Sequence, residues 1–141
     1  MPGANHQSGE VVREFVRRLN TGQDPLSLLT DAAVVTINGT TPLSGRYAGL
    51  TLVRGILVDT ARNVISTLAV EIRSLIGSGS RIATLLAVSG RNVDGMEFNR
   101  EGAVCGCVFT VNGGRIEEII LFPDTSLIET ALYRRRYVAN A

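Results

Sequence analysis

A chain of 141 residues with 45% hydrophobic and 19% charged residues is the size of one domain with its own core, which argues against disorder. A formal net charge of +1 supplies no field for a polyanion, and no basic stripe points to nucleic acid. No window approaches the roughly 18 unbroken apolar residues of a membrane span, and the opening Met1–Gln7 lacks the basic and apolar regions of a signal peptide.

Residues 1–8 show no periodic pattern and are expected to be flexible, with Ser8 as the cap of the first helix. Val11, Val12, Phe15, Val16 and Leu19 then fall on one helical face, and Asn20-Thr21-Gly22 stops the run. Asp24-Pro25 opens a short second helix, a cap followed by a proline at the first helical position. A strand is expected over residues 33–38, followed by an irregular loop, 40–49, punctuated by Pro42, Gly45 and Gly49. A third helix spans about Leu50 to Arg62, interrupted by Gly55.

Four long strands are then expected: Val64–Ile76, Arg81–Arg91, Met96–Val111 and Arg115–Phe122. Gly77-Ser78-Gly79-Ser80, Asn92-Val93-Asp94-Gly95 and Asn112-Gly113-Gly114 supply the turns. Gly102 and Gly106 mark places for a bulge or kink. Asp124 caps a last helix carrying Leu127, Ile128, Ala131 and Leu132, and Arg134-Arg135-Arg136 offsets the dipole at its end. Helices followed by an antiparallel meander predict a single α+β domain, 1–141, with a strongly curved sheet wrapped around the N-terminal helices.

The two cysteines, Cys105 and Cys107, lie on one face of a strand and are poorly placed to bridge each other. They read as small buried hydrophobes, which suits a reducing cytoplasm. No phosphate-binding loop, dinucleotide fingerprint or metal-ligand cluster is present, and without an internal histidine there is no Ser/His pair. No cofactor is expected.

Three stretches carry a family resemblance. They are the helix ending Leu19-Asn20-Thr21-Gly22-Gln23-Asp24, the segment from Asp31 through Pro42-Leu43-Ser44-Gly45 to Gly49, and the segment from Val108 to Ile119 closing with Phe122-Pro123-Asp124-Thr125. In this order they resemble the nuclear transport factor 2-like superfamily, its SnoaL-like and ketosteroid-isomerase-like branch. The resemblance implies a cone-shaped fold with an apolar pocket. It also shows what is missing. The tyrosine, aspartate base and second oxyanion donor of ketosteroid isomerases correspond to Phe15, Thr36 and Cys107, none of which performs those roles. Of the limonene-epoxide-hydrolase pattern only Asn38 survives, since the last-strand aspartate corresponds to Leu121.

The acid of SnoaL-like cyclases corresponds to Asp124, which is equally a helix cap. Glu101 is the other candidate acid or base. Strict alternation places it on the face of Ala103, Cys105 and Cys107, and Asn99 shares that parity. The expected lining is Phe15, Val16, Leu19, Val34, Thr36, Leu85, Ile119 and Leu121, with Asn38, Asn99, Cys107 and the Tyr47 hydroxyl as further contacts. Two readings stand: a binder of a hydrophobic small molecule with proton-transfer chemistry through Asp124 or Glu101, and a non-catalytic binding or assembly module. Val70, Ile72, Val104 and Val108 are expected to face outward and join two copies into a homodimer under both readings.

Overall fold

The structure, a computed structural model, describes residues 2–133; Arg134-Arg135-Arg136 lies outside them. Helix α1 runs from Pro2 to Thr21, so it begins well before the expected cap. Pro2 takes the first helical position, where its missing N–H is not needed. Ser8 is buried within the helix and Gly9 passes over Leu75, whose Cδ2 would lie 3.7 Å from a Cβ at that position. Small residues that look like a cap are here the means of close packing.

After Gly22, in the left-handed region, the Asp24 carboxylate accepts a hydrogen bond from the Leu26 N–H at 2.9 Å and opens a short 3-10 turn, Leu26–Leu28. β1 runs Leu29–Ile37. The segment expected to be irregular contains a second strand, β2, Gly45–Ala48, paired antiparallel with β1 from Val34↔Ala48 to Ile37↔Gly45. The proline sits in the connection, which the Thr41 and Ser44 hydroxyls fasten to each other and to the backbone. A helical run over residues 50–64 follows, α-helical at Leu50–Arg54 and Ala61–Val64 and π-helical between, at Gly55–Thr60.

β3 (Ile65–Ser78), β4 (Arg81–Asn92), β6 (Val104–Asn112) and β7 (Arg115–Phe122) form the antiparallel meander. The expected strand Met96–Val111 is divided into β5 (Glu97–Phe98) and β6, both paired with β4. Asn99 makes the division. Its backbone is left-handed, its amide nitrogen donates to the Val88 and Ala103 carbonyls, and its side-chain oxygen accepts from the Ala103 N–H. β1 lies parallel to β7, which gives a mixed, strongly curved seven-stranded sheet of order β2-β1-β7-β6-β4-β3, with β5 also paired to β4.

The concave face of the sheet holds α1 and the core. Val12, Phe15 and Val16 meet Val35, Ile82, Leu86, Cys107, Phe109 and Ile119, and Phe15 meets Phe109 edge-on with ring centroids 5.8 Å apart. A smaller cluster, Val64, Phe98, Ile128 and Leu132, seats the final helical segment against the end of the sheet. No described helix is long and apolar enough to cross a membrane.

The expected faces need correction at five strand positions. On β1 the buried residues are Leu29, Ala33, Val35 and Ile37, so Val34 and Thr36 face the convex side. On β4 Leu86 is buried while Leu85 is 43% exposed. Val70 is buried and Ile72 packs against the core, so neither faces outward. Val104 and Val108 do face the convex side, opposite Ala87 and Ala83 of β4.

Candidate functional site

The end of α1, the middle helix and the start of β3 enclose a cleft of about 540 Å³, within the range of small-molecule sites. Leu19, Leu57, Val58, Ile65 and Leu68 supply its apolar surface; Arg18, Arg54, Arg62 and Asp24 supply its charge. On the middle helix, residues 50–64, Arg54, Leu57, Val58, Ala61 and Arg62 recur at spacings of three and four, the signature of one helical face. A π turn lies within that stretch, a local widening that helices often carry at functional sites.

Two of the three walls are locked together. The Glu14 carboxylate takes hydrogen bonds from Arg17, at 2.6 Å, and from Arg18, at 3.2 Å. The Arg17 hydrogen bond, with help from Arg18, holds the Glu14 carboxyl well below its ordinary range, at about 2. Arg18 also donates to the Asp24 carbonyl and the Ser27 hydroxyl, and Arg17 to the Gln23 side chain. The turn after α1 is thereby clamped to the helix. Asn20 then fixes α1 to β3: its amide nitrogen donates to the Val70 carbonyl at 2.8 Å and its oxygen accepts from the Val70 N–H at 2.6 Å.

A second, more polar cleft of about 370 Å³ lies beyond Asn20, between β3, β4 and the Asn99–Gly102 loop. Arg73 and Glu71 pair within it at 3.0 Å.

Of the residues expected to line a pocket, Leu19 lines the larger cleft and Asn99 the smaller. Phe15, Val16, Cys107 and Ile119 are buried in the core, with Leu121 packed against it. The Tyr47 hydroxyl donates to the Leu43 carbonyl at 2.8 Å and braces its own loop. Asn38 stands just after β1, its N–H bonded to the Leu121 carbonyl. Val34, Thr36 and Leu85 lie on the convex face, away from both clefts.

The two candidate acids are both exposed. Asp124 is a helix cap whose carboxylate accepts from the Ser126 and Leu127 N–H groups. Glu101 sits in the loop that divides β5 from β6, so strand alternation does not reach it. Burial pushes the Cys107 thiol far up and raises Cys105 as well, which keeps both protonated and poor as nucleophiles. Of the cleft residues not expected from the sequence, Leu57, Val58 and Ala61 carried a readable signal in the apolar stripe of the middle helix.

No family model matches the chain, and no curated protein matches it. Solved structures do. An NTF2-like protein of unknown function from Burkholderia pseudomallei is 20% identical, with a TM-score of 0.77 over 89% of this chain and 97% of that one. A putative SnoaL-like polyketide cyclase from a Jannaschia species is 14% identical, with a TM-score of 0.72 over 94% and 96%. TerC, co-crystallised with polyporic acid, is 14% identical, with a TM-score of 0.72 over 90% and 98%. The likeness spans nearly the whole chain in each case: the fold is that of the nuclear transport factor 2-like proteins.

Proposed function

We propose that this nuclear transport factor 2-like fold serves as a binding module for an apolar small molecule, held in the 540 Å³ cleft at the end of α1. The observation that carries the reading is where the acids lie. No aspartate or glutamate among the described residues is buried. A carboxylate that removes a carbon-bound proton near neutral pH needs desolvation or a like charge to raise its basicity, and the core has none to offer. The cleft instead presents aliphatic side chains on fixed walls, which suits retention of a ligand. The free thiols support a reducing compartment such as the cytoplasm.

Leu57→Arg is expected to weaken binding of an apolar ligand at least about tenfold. The check is native mass spectrometry of protein purified without detergent, followed by titration with whatever apolar compound it retains. Unchanged affinity in Leu57→Arg would move the site elsewhere.

Cyclase-like proton transfer is the second reading, favoured by the neighbour named as a putative SnoaL-like polyketide cyclase. Asp24 is the acid at this cleft, and Asp124 and Glu101 are those expected from the sequence. Incubating the complex in heavy water distinguishes the readings. Pure binding leaves the carbon-bound hydrogens of the ligand in place. Deuterium uptake that disappears in Asp24→Asn, Asp124→Asn or Glu101→Gln would establish chemistry and name its base.

A homodimer through the convex sheet face belongs to the same proposal. Thr36, Ile120, Val108, Ala83 and Ile76 form one row across five strands, about 19 Å long at the usual strand spacing. Leu85, Val104 and Phe122 extend it, each at least 43% exposed, and continuous apolar surface of this kind marks an interaction site. Arg81 and Glu118 stand 3.9 Å apart on the same face, so a copy whose two-fold axis passes between them would meet each charge with its opposite. Val108→Glu is expected to yield monomers in sedimentation velocity with unchanged circular dichroism; a monomeric parent protein would end the proposal.

A further inference from the structure

The charges around the larger cleft are unevenly distributed. Arg18, Arg54 and Arg62 line it against Asp24 alone, in a chain whose net charge is only +1. Arg18 is engaged by Glu14, Ser27 and the Asp24 carbonyl, and the Asp24 carboxylate by the Leu26 N–H. Arg54 and Arg62 are different. Both are exposed, and neither makes an ion pair or side-chain hydrogen bond among the described residues. Asp59, on the same helix, is not part of the lining.

The two free guanidinium groups stand at either end of an apolar strip. Leu57, Val58 and Ala61 lie between them on the same helical face, and eight residues of helix place the two arginines about 12 Å apart along the axis. An apolar chain or ring system lying on that strip reaches one guanidinium with its end. Guanidinium is weakly hydrated and presents a planar fork that matches a carboxylate with two parallel hydrogen bonds.

We infer that the ligand is an amphipathic carboxylate, its apolar body against Leu57, Val58 and Ala61 and its anionic head on Arg54 or Arg62. The inference rests on the binding reading above and adds the charge of the ligand. It runs against simple partition, because a carboxylate loses more hydration on leaving water than an alcohol of equal chain length. An order of affinity that places the acid first therefore reports specific recognition.

Decanoate and decan-1-ol are the probes, titrated calorimetrically near neutral pH below the micellar concentration of the acid. Decanoate is expected to bind at least about tenfold more tightly, and this preference should vanish in the double variant Arg54→Gln/Arg62→Gln. The pair Arg13→Gln/Arg115→Gln, which removes the same charge from outside the cleft, should retain it. Added salt should weaken decanoate binding to the parent protein and leave decanol binding unchanged, a test that needs no variant. Equal or tighter binding of decanol overturns the inference but leaves the binding reading intact. So does a preference that survives the cleft variant or is lost in the control pair. Binding of neither probe overturns both.

Discussion

Phe109→Ala is expected to lower the unfolding free energy by about 4 kcal/mol, the scale of a large aromatic truncated in a close-packed core. Phe109 is 1% exposed and sits in the middle of β6, opposite Ile82 of β4 and Ile119 of β7. Its ring also meets that of Phe15 in an edge-to-face pair, so truncation removes one of the contacts that seat α1 on the sheet. Neighbours held by two strands and a helix close only part of the void. For a domain of this size the loss corresponds to about 10–15 °C in Tm. Denaturant titration measures it directly. A cost below about 1 kcal/mol would show that the concave face is hollow at this point, as an apolar pocket deep in the cone requires.

Asn92→Ala is expected to cost about 3 kcal/mol through a different mechanism. Asn92 is 1% exposed. Its amide nitrogen donates to the Ala131 carbonyl at 2.8 Å, and its side-chain oxygen accepts from the N–H groups of Asp94, at 2.9 Å, and Met96, at 3.0 Å. One side chain thus shapes the turn between β4 and β5 and holds the final helical segment. Alanine leaves those groups without their partner. Asn92→Asp keeps the acceptor but buries a charge beside a carbonyl, so it should be as harmful at neutral pH. Burial favours the neutral acid and raises its folded-state pKa above the unfolded value, so part of the stability should return as pH falls toward the ordinary carboxylate range. Hydrogen exchange should show early loss of protection over residues 125–132. Normal protection there would remove Asn92 as the tie.

The fold was readable because most of its signals are local. Turn residues at 77–80, 92–95 and 112–114 separate the meander strands, and β7 has the expected bounds. What was misread depends on information that alternation does not carry. β1 and β4 place apolar residues on both faces, Val34 beside Val35 and Leu85 beside Leu86, so hydrophobicity alone does not say which side is the core. Strict parity carried Glu101 and Asn99 toward the interior, whereas the left-handed backbone at Asn99 breaks the strand first. β2 escaped because Pro42 and Gly45 suggested a loop through a segment whose second half pairs with β1. For the site, Leu19 was legible as an apolar helix residue. Arg54 and Arg62 were not singled out, since an arginine on a helix is ordinarily a solvated charge, and only the meeting of three elements turns these two toward a common recess.

The bond between Asn20 and Val70 has a consequence for how the molecule behaves in a crowded solution. β3 is 14 residues long and forms one margin of the sheet, where a foreign extended chain would find peptide groups to pair with. At Val70 the Asn20 side chain imitates such a peptide, offering one donor and one acceptor to the same residue. The docking place is filled from within the chain, and strand-to-strand aggregation along this margin is blocked near its midpoint.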